Sequence, residues 1–254
     1  MIGGMSRTSE LLMKMYEAMR ARFGHRGWWP VAGGPASGGS AVASESAGRP
    51  LEGAAGEERK LEMCVGAILT QNTAWKNVEK ALANLREAGL MSVGALHAKP
   101  HAALAEIIRP AGYYNVKAKR LRNFIARVHE FGGGIGAFLG RPLSALREDL
   151  LSVNGIGRET GDSIILYAAG LPTFVVDAYT ARIGVRHSLF GPEADYDEIK
   201  EFFESALPRD AELFNDYHAQ LVQTGKEYCR TMALCEGCPL EVFPHDPEAG
   251  RECP

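Results

Sequence analysis

Residues 150–184 read LLSVNGIGRETGDSIILYAAGLPTFVVDAYTARIG, and the rest of the chain is organised around them. Leu150, Leu151 and Val153 close an apolar segment; Asn154-Gly155-Ile156-Gly157 then reverses the chain. Glycine reaches positive φ at little steric cost and leaves its backbone uncovered. The spacing predicts a helix from about Arg158, Glu159 or Thr160, whose free N–H groups and positive dipole end lie beside that bare backbone. Such a turn binds an anion without reading sequence, which suits a phosphodiester. Ile164, Ile165 and Ala168 recur at helical spacing and anchor the hairpin in a core. The run Thr173 to Val176 ends in Asp177, and Ala178 to Val185 reads as another helix. An aspartate at that junction is an N-cap. It also lies one helix and a return from the turn, so it can face whatever the turn holds. Taken alone, the turn could be an ordinary helical corner and Asp177 only a cap.

The 254 residues suffice for a sizeable core in one or two lobes. Apolar content of 46% and charged content of 23% are those of a globular chain. The net charge of −3 does not advertise a nucleic-acid binder, so its distribution matters more. Lys117, Lys119, Arg120, Arg122 and Arg127 fall in a stretch from Gly112 to Val128 without an acid, whereas Glu193 to Asp216 is strongly acidic. No apolar run reaches the length of a membrane span, and no signal-peptide pattern opens the chain. A cytoplasmic monomer without membrane attachment is expected.

Residues 6–23 predict an amphipathic helix with Leu11, Leu12, Met15, Met19 and Phe23 on one stripe. Trp28 and Trp29 follow; adjacent tryptophans cannot share a helix face, so at least one lies near a surface or pocket. Of the 25 residues 32–56, 20 are Gly, Ala, Ser or Pro, a composition that predicts a flexible insertion. Order is expected to resume at Glu58, with Leu61, Cys64, Val65, Ile68 and Leu69 as a core stripe. The polar turn Thr70-Gln71-Asn72-Thr73-Ala74-Trp75 comes next. Gly112 to Leu121 combines aromatics with a basic helix face, and residues 132–140 read as a Gly-rich loop. Near the C-terminal end, Cys229, Cys235, Cys238 and Cys253 have the spacing C-x5-C-x2-C-x14-C. Four thiolates in a reducing compartment point to metal rather than disulfides. Ligand type admits both zinc and an iron–sulfur cluster.

The hairpin, the aspartate and the cysteines together resemble the helix-hairpin-helix glycosylases of the endonuclease III superfamily, over nearly the whole chain outside the insertion. In that family a catalytic aspartate follows the hairpin in a motif near Val-Asp-Thr-His; here it reads Val176-Asp177-Ala178-Tyr179. Bifunctional members carry a Schiff-base lysine in Gly-Arg-Lys-Thr; here Gly157-Arg158-Glu159-Thr160 puts a glutamate there. Imine formation needs an amine, so the resemblance implies a monofunctional enzyme that uses water, similar to the 3-methyladenine glycosylase branch. It further implies that Gln71 enters the duplex where the target base has left and that Trp75 stacks on that base. Trp28 and Trp29 would line its pocket. Gly155, Gly157, Arg158 and Glu159, with Lys117, Lys119 and Arg120, would lie along the DNA. The family's cysteine loop, C-x6-C-x2-C-x5-C, implies a [4Fe–4S] cluster on Cys229, Cys235, Cys238 and Cys253.

The expected fold is all-α and two-lobed. Residues 1–30 would join 172–254 in a cluster lobe that carries the catalytic aspartate helix. Residues 31–57 would be the insertion, and 58–171 a helical barrel with the hairpin. Asp177, Gln71 and Trp75 would meet in the cleft between the lobes. The expected partner is damaged double-stranded DNA, and the reaction is hydrolysis of an N-glycosidic bond. Two alternatives stay open: a bifunctional glycosylase and abasic-site lyase for oxidised pyrimidines, and a non-catalytic damage-binding protein.

Overall fold

A computed structural model describes residues 6–26 and 53–250. In chain order its helices are α1 (Arg7–Phe23), α2 (Gly53–Leu69), α3 (Trp75–Glu87), α4 (Val93–Ala98), α5 (His101–Ile107), α6 (Tyr114–Phe131), α7 (Gly134–Leu139), α8 (Leu143–Ser152) and α9 (Arg158–Ser163). After α9 a π-helical turn covers Ile164–Ala168; α10 (Ala178–Arg186), α11 (Tyr196–Ala206) and α12 (Ala211–Glu227) follow. Among the described residues there is no β-strand, so the fold is all-α. The chain divides into two compact units, one holding the described residues 53–171 and the other holding 6–26 and 172–250.

In the first unit α2 is the central rod. Cys64, Val65, Ile68 and Leu69 are all 0% exposed. α3, α6, α7, α9 and the π-turn pack around α2, which explains why its last two turns, Met63 to Leu69, are apolar all round. The helix opens at Gly53, ahead of Glu58, and Glu57 accepts the Gly136 N–H at 3.0 Å, tying α2 to α7. Residues 134–139 are helical where the glycines predict a loop. Burial of Ile135, Phe138 and Leu139 outweighs the low helix propensity of glycine there.

The second unit is built on aromatic stacking. The Phe174 ring stacks on Phe203 at 4.2 Å and meets Phe214 edge-on at 5.5 Å; Tyr217 stacks on Tyr16 of α1 at 5.3 Å. Asp216, 1% exposed, accepts the Tyr16 hydroxyl at 2.7 Å and the Arg26 backbone N–H at 2.7 Å, which holds the end of α1 against α12. Removing a buried acceptor leaves its donors unsatisfied. Asp216→Ala is therefore expected to cost about 3 kcal/mol, read as a lower urea midpoint, with Phe23 and Tyr228 no longer held in contact. An unchanged midpoint would remove Asp216 from this role.

Candidate active site

The hairpin lies in the first unit. α8 ends at Ser152, Gly155 takes φ +99°, and α9 starts at Arg158. Arg147 of α8 donates to both oxygens of Asp162 of α9, at 2.9 and 3.2 Å, and the Asp162 side chain is 0% exposed. This bidentate pair joins the two helices of the hairpin. Two further elements brace the turn. Gln71, in the turn after α2, donates its amide to Gly155 O at 3.2 Å and to the Thr160 hydroxyl at 2.8 Å. Arg120 of α6 donates to the Gln71 side-chain oxygen, and Asn123 donates to Asn154 O at 2.9 Å. Gly155 also makes room for Arg120: a Cβ there would stand 2.3 Å from Arg120 Cγ. Gly157, Arg158 and Glu159 are exposed.

The carboxylate lies in the second unit. Phe174, Val175 and Val176 are buried and deliver Asp177 in extended backbone, φ −123°, to the N-cap of α10. Its Oδ1 accepts the Thr180 N–H at 2.8 Å and the Thr180 hydroxyl at 2.9 Å. Its Oδ2 faces Nε2 of His218 at 3.7 Å, and the Asp177 side chain is 14% exposed. Burial works to raise its pKa, but the His218 ring and the Thr180 bonds outweigh this and hold the carboxyl below its ordinary value. Asp177 is thus both a cap and an ionised, partly accessible carboxylate.

Past α12, Cys229, Cys235 and Cys238 line one cavity together with Arg186, His187 and His245. Arg186, 2% exposed, was not singled out by sequence reasoning, yet it organises this loop. It donates to Cys229 Sγ at 3.1 Å and to the carbonyls of Arg230, Thr231 and Ala249 at 2.7, 2.8 and 3.0 Å. Only its place at the end of an amphipathic helix marked it in the sequence. Among the described residues, no group of three or more His, Cys, Asp or Glu stands as a ready-made metal site. Cys253 lies outside the described residues, as do Trp28 and Trp29.

The remaining sequence-predicted residues separate. Lys119 is exposed and Arg120 half-buried. Lys117 is not on the basic face: it is 2% exposed and donates to Leu69 O and Ala111 O, both at 2.8 Å, and to the Thr73 hydroxyl at 2.5 Å. Its position on α6 turns it inward, so charge alone misplaced it. Trp75, half-buried, packs against the core of the first unit and donates its indole N–H to Glu79 at 2.9 Å. The Gln71 amide is engaged with the hairpin.

The model of the HhH-GPD superfamily of base excision DNA repair proteins matches residues 65–209. The chain belongs to that superfamily. Among HhH-GPD relatives, a protein of Methanocaldococcus jannaschii provisionally named DNA repair glycosylase MJ1434 is 41% identical over 236 residues, 92% of this chain and 96% of its own length. Endonuclease III of Thermotoga maritima is 28% identical over 188 residues, 73% of this chain and 82% of the relative. Among solved structures, the 3-methyladenine DNA glycosylase MagIII of H. pylori, bound to 1,N6-ethenoadenine, aligns with a TM-score of 0.66 at 26% identity, over 87% of this chain and 97% of that one. The chain is thus an HhH-GPD glycosylase by family.

The two hairpin glycines differ in a way that can be measured. Gly155→Ala forces a side chain into positive φ and into Arg120, and is expected to cost about 3 kcal/mol. Gly157 has φ −91° with nothing within 4 Å of a Cβ. Gly157→Ala should change stability by less than about 1 kcal/mol. Thermal melts that rank the two alike would contradict this geometry.

Proposed function

We propose that the chain is a monofunctional DNA glycosylase that hydrolyses the N-glycosidic bond of an alkylated base in damaged duplex DNA. The observation that carries this reading is Asp177, an ionised carboxylate at a helix N-cap with one oxygen left over from capping. As the base leaves, the deoxyribose gains oxocarbenium character. A fixed carboxylate stabilises that charge and orients or deprotonates the attacking water. The two lysine positions that the hairpin and α6 bring into question do not supply an amine nucleophile. Glu159 occupies the position after the hairpin where bifunctional relatives carry lysine. Burial and the Arg120 charge push the Lys117 ammonium down to about 8, yet three acceptors enclose it and its side chain is closed to substrate. The likeness to a 3-methyladenine glycosylase supports an alkylated base. Such a base is already cationic and leaves with little general-acid help, in keeping with a single carboxylate. The hairpin would hold a backbone phosphate through the amides of Gly155 and Gly157, with Arg158 and Lys119 adding charge beside it. Trp75 is offered as the stacking aromatic.

The C-terminal cysteines enter the same reading. Three thiols facing one cavity, with a guanidinium on Cys229, fit a thiolate-held [4Fe–4S] cluster completed by Cys253. When bound, the cluster would cross-link a loop that Arg186 otherwise holds through carbonyls.

Two measurements test these points. Asp177→Asn is expected to lose base release from methylated duplex by about 10²-fold or more while still binding DNA, and borohydride should trap no covalent adduct with the wild type. Good-yield trapping would overturn the monofunctional assignment, and full turnover by Asp177→Asn would overturn its role. Protein purified without oxygen should be brown, with about four irons per chain; colourless protein with one zinc would replace the cluster by a zinc site.

A further inference from the structure

Asp177 uses its two oxygens differently. Oδ1 is committed to the cap, where it accepts the Thr180 N–H at 2.8 Å and the Thr180 hydroxyl at 2.9 Å. Oδ2 takes no part in the cap, and the group that faces it is the imidazole of His218, with Nε2 3.7 Å away. Both side chains are largely enclosed, at 14% exposed for Asp177 and 8% for His218. The approach is built into the packing of α10 on α12. Gly225 of α12 lets the Tyr179 ring lie against the backbone: a Cβ there would stand 2.3 Å from Tyr179 Cδ1. The ring of His218 is thereby brought to the carboxylate by two helices rather than by a loop.

We propose that His218 is the positioning residue of the Asp177 carboxylate: it fixes the oxygen that the helix cap leaves over, so that this oxygen faces the sugar as the sugar becomes cationic. This rests on the reading of Asp177 as the acting carboxylate. An imidazole nitrogen 3.7 Å from Oδ2, on a ring packed between two helices, restrains rotation of the carboxylate. A cation acts here as well. Lys226, two turns along the same face of α12, interacts with Asp177, and Arg26 beyond α1 in turn acts on Lys226. Lys226 is exposed whereas His218 is buried. Lys226 therefore contributes field, and His218 sets geometry.

The test follows single-turnover base release from a duplex methylated with dimethyl sulfate, together with circular dichroism and duplex affinity for each variant. His218→Gln, which keeps an N–H donor, should stay within about threefold of wild type, and His218→Leu should fall by about 10²-fold, since a misplaced group costs that much. Duplex affinity should not move. The acid limb of the pH–rate profile should shift to higher pH in His218→Leu. The sign follows from the carboxyl: the His218 ring is among the groups that hold its pKa down, so losing the ring raises the pH at which the carboxylate is lost. If His218→Leu does not fold, His218→Asn takes its place, with the same expected loss and shift because its donor is shorter. A folded His218→Leu or His218→Asn with wild-type rate and an unmoved acid limb, beside an inactive Asp177→Asn, would overturn the role of His218 and leave that of Asp177 standing. Full release by Asp177→Asn would overturn the reading beneath both.

Discussion

The hairpin depends on the ion pair between Arg147 and Asp162. Its acid is wholly buried, and a guanidinium meets both of its oxygens. The pair fixes α8 against α9, and the turn between them is left with one conformation to adopt. Gln71, Arg120 and Asn123 then close on the turn from α6 and from the end of α2. Residues that could look like separate DNA contacts are in this sense one braced object. On the proposed reading, the Gly155 and Gly157 amides would take a phosphate while side chains elsewhere carry the structural load.

The carboxylate follows the opposite logic. Asp177 is held by a single helix start and by the faces of α10 and α12, with Thr180 taking one oxygen and His218 facing the other. A cap and a reacting group have conflicting needs: the cap wants both lone pairs satisfied locally, whereas chemistry wants an oxygen left over. On the proposed reading of Asp177, dividing the two oxygens between the tasks would meet both needs. Burial alone would favour the neutral acid, so the neighbours that keep it ionised matter as much as the aspartate itself.

Arg186 shows how a loop of low regularity can be ordered. The segment after α12 offers few apolar contacts, and its carbonyls point inward. One guanidinium takes three of them and a thiol. Its five donors in a fixed plane make arginine suited to this, where lysine would not be. Met232, Leu234 and Val242 on the same segment are exposed, and Leu240 is its buried apolar anchor beside the guanidinium's contacts.

The sequence by itself determined the helical class, the hairpin, the N-cap of α10 and the family, because each rests on local chemistry: apolar spacing, a glycine turn, an aspartate before a helix. Helix α7 was not legible, since its glycines argue for a loop and only the burial of Ile135, Phe138 and Leu139 pays for a helix. Lys117 was not legible either. A lysine in a basic run looks solvent-facing until the carbonyls of Leu69, distant in sequence, and of Ala111, just ahead of α6, supply acceptors for it. The partners Arg147 with Asp162, Gln71 with Thr160 and His218 with Asp177 belong to the same class. Each joins residues from different turns of the chain, and no propensity or spacing encodes such a meeting. Tertiary structure decided them because a buried charge or amide takes whatever partner the packing brings within reach.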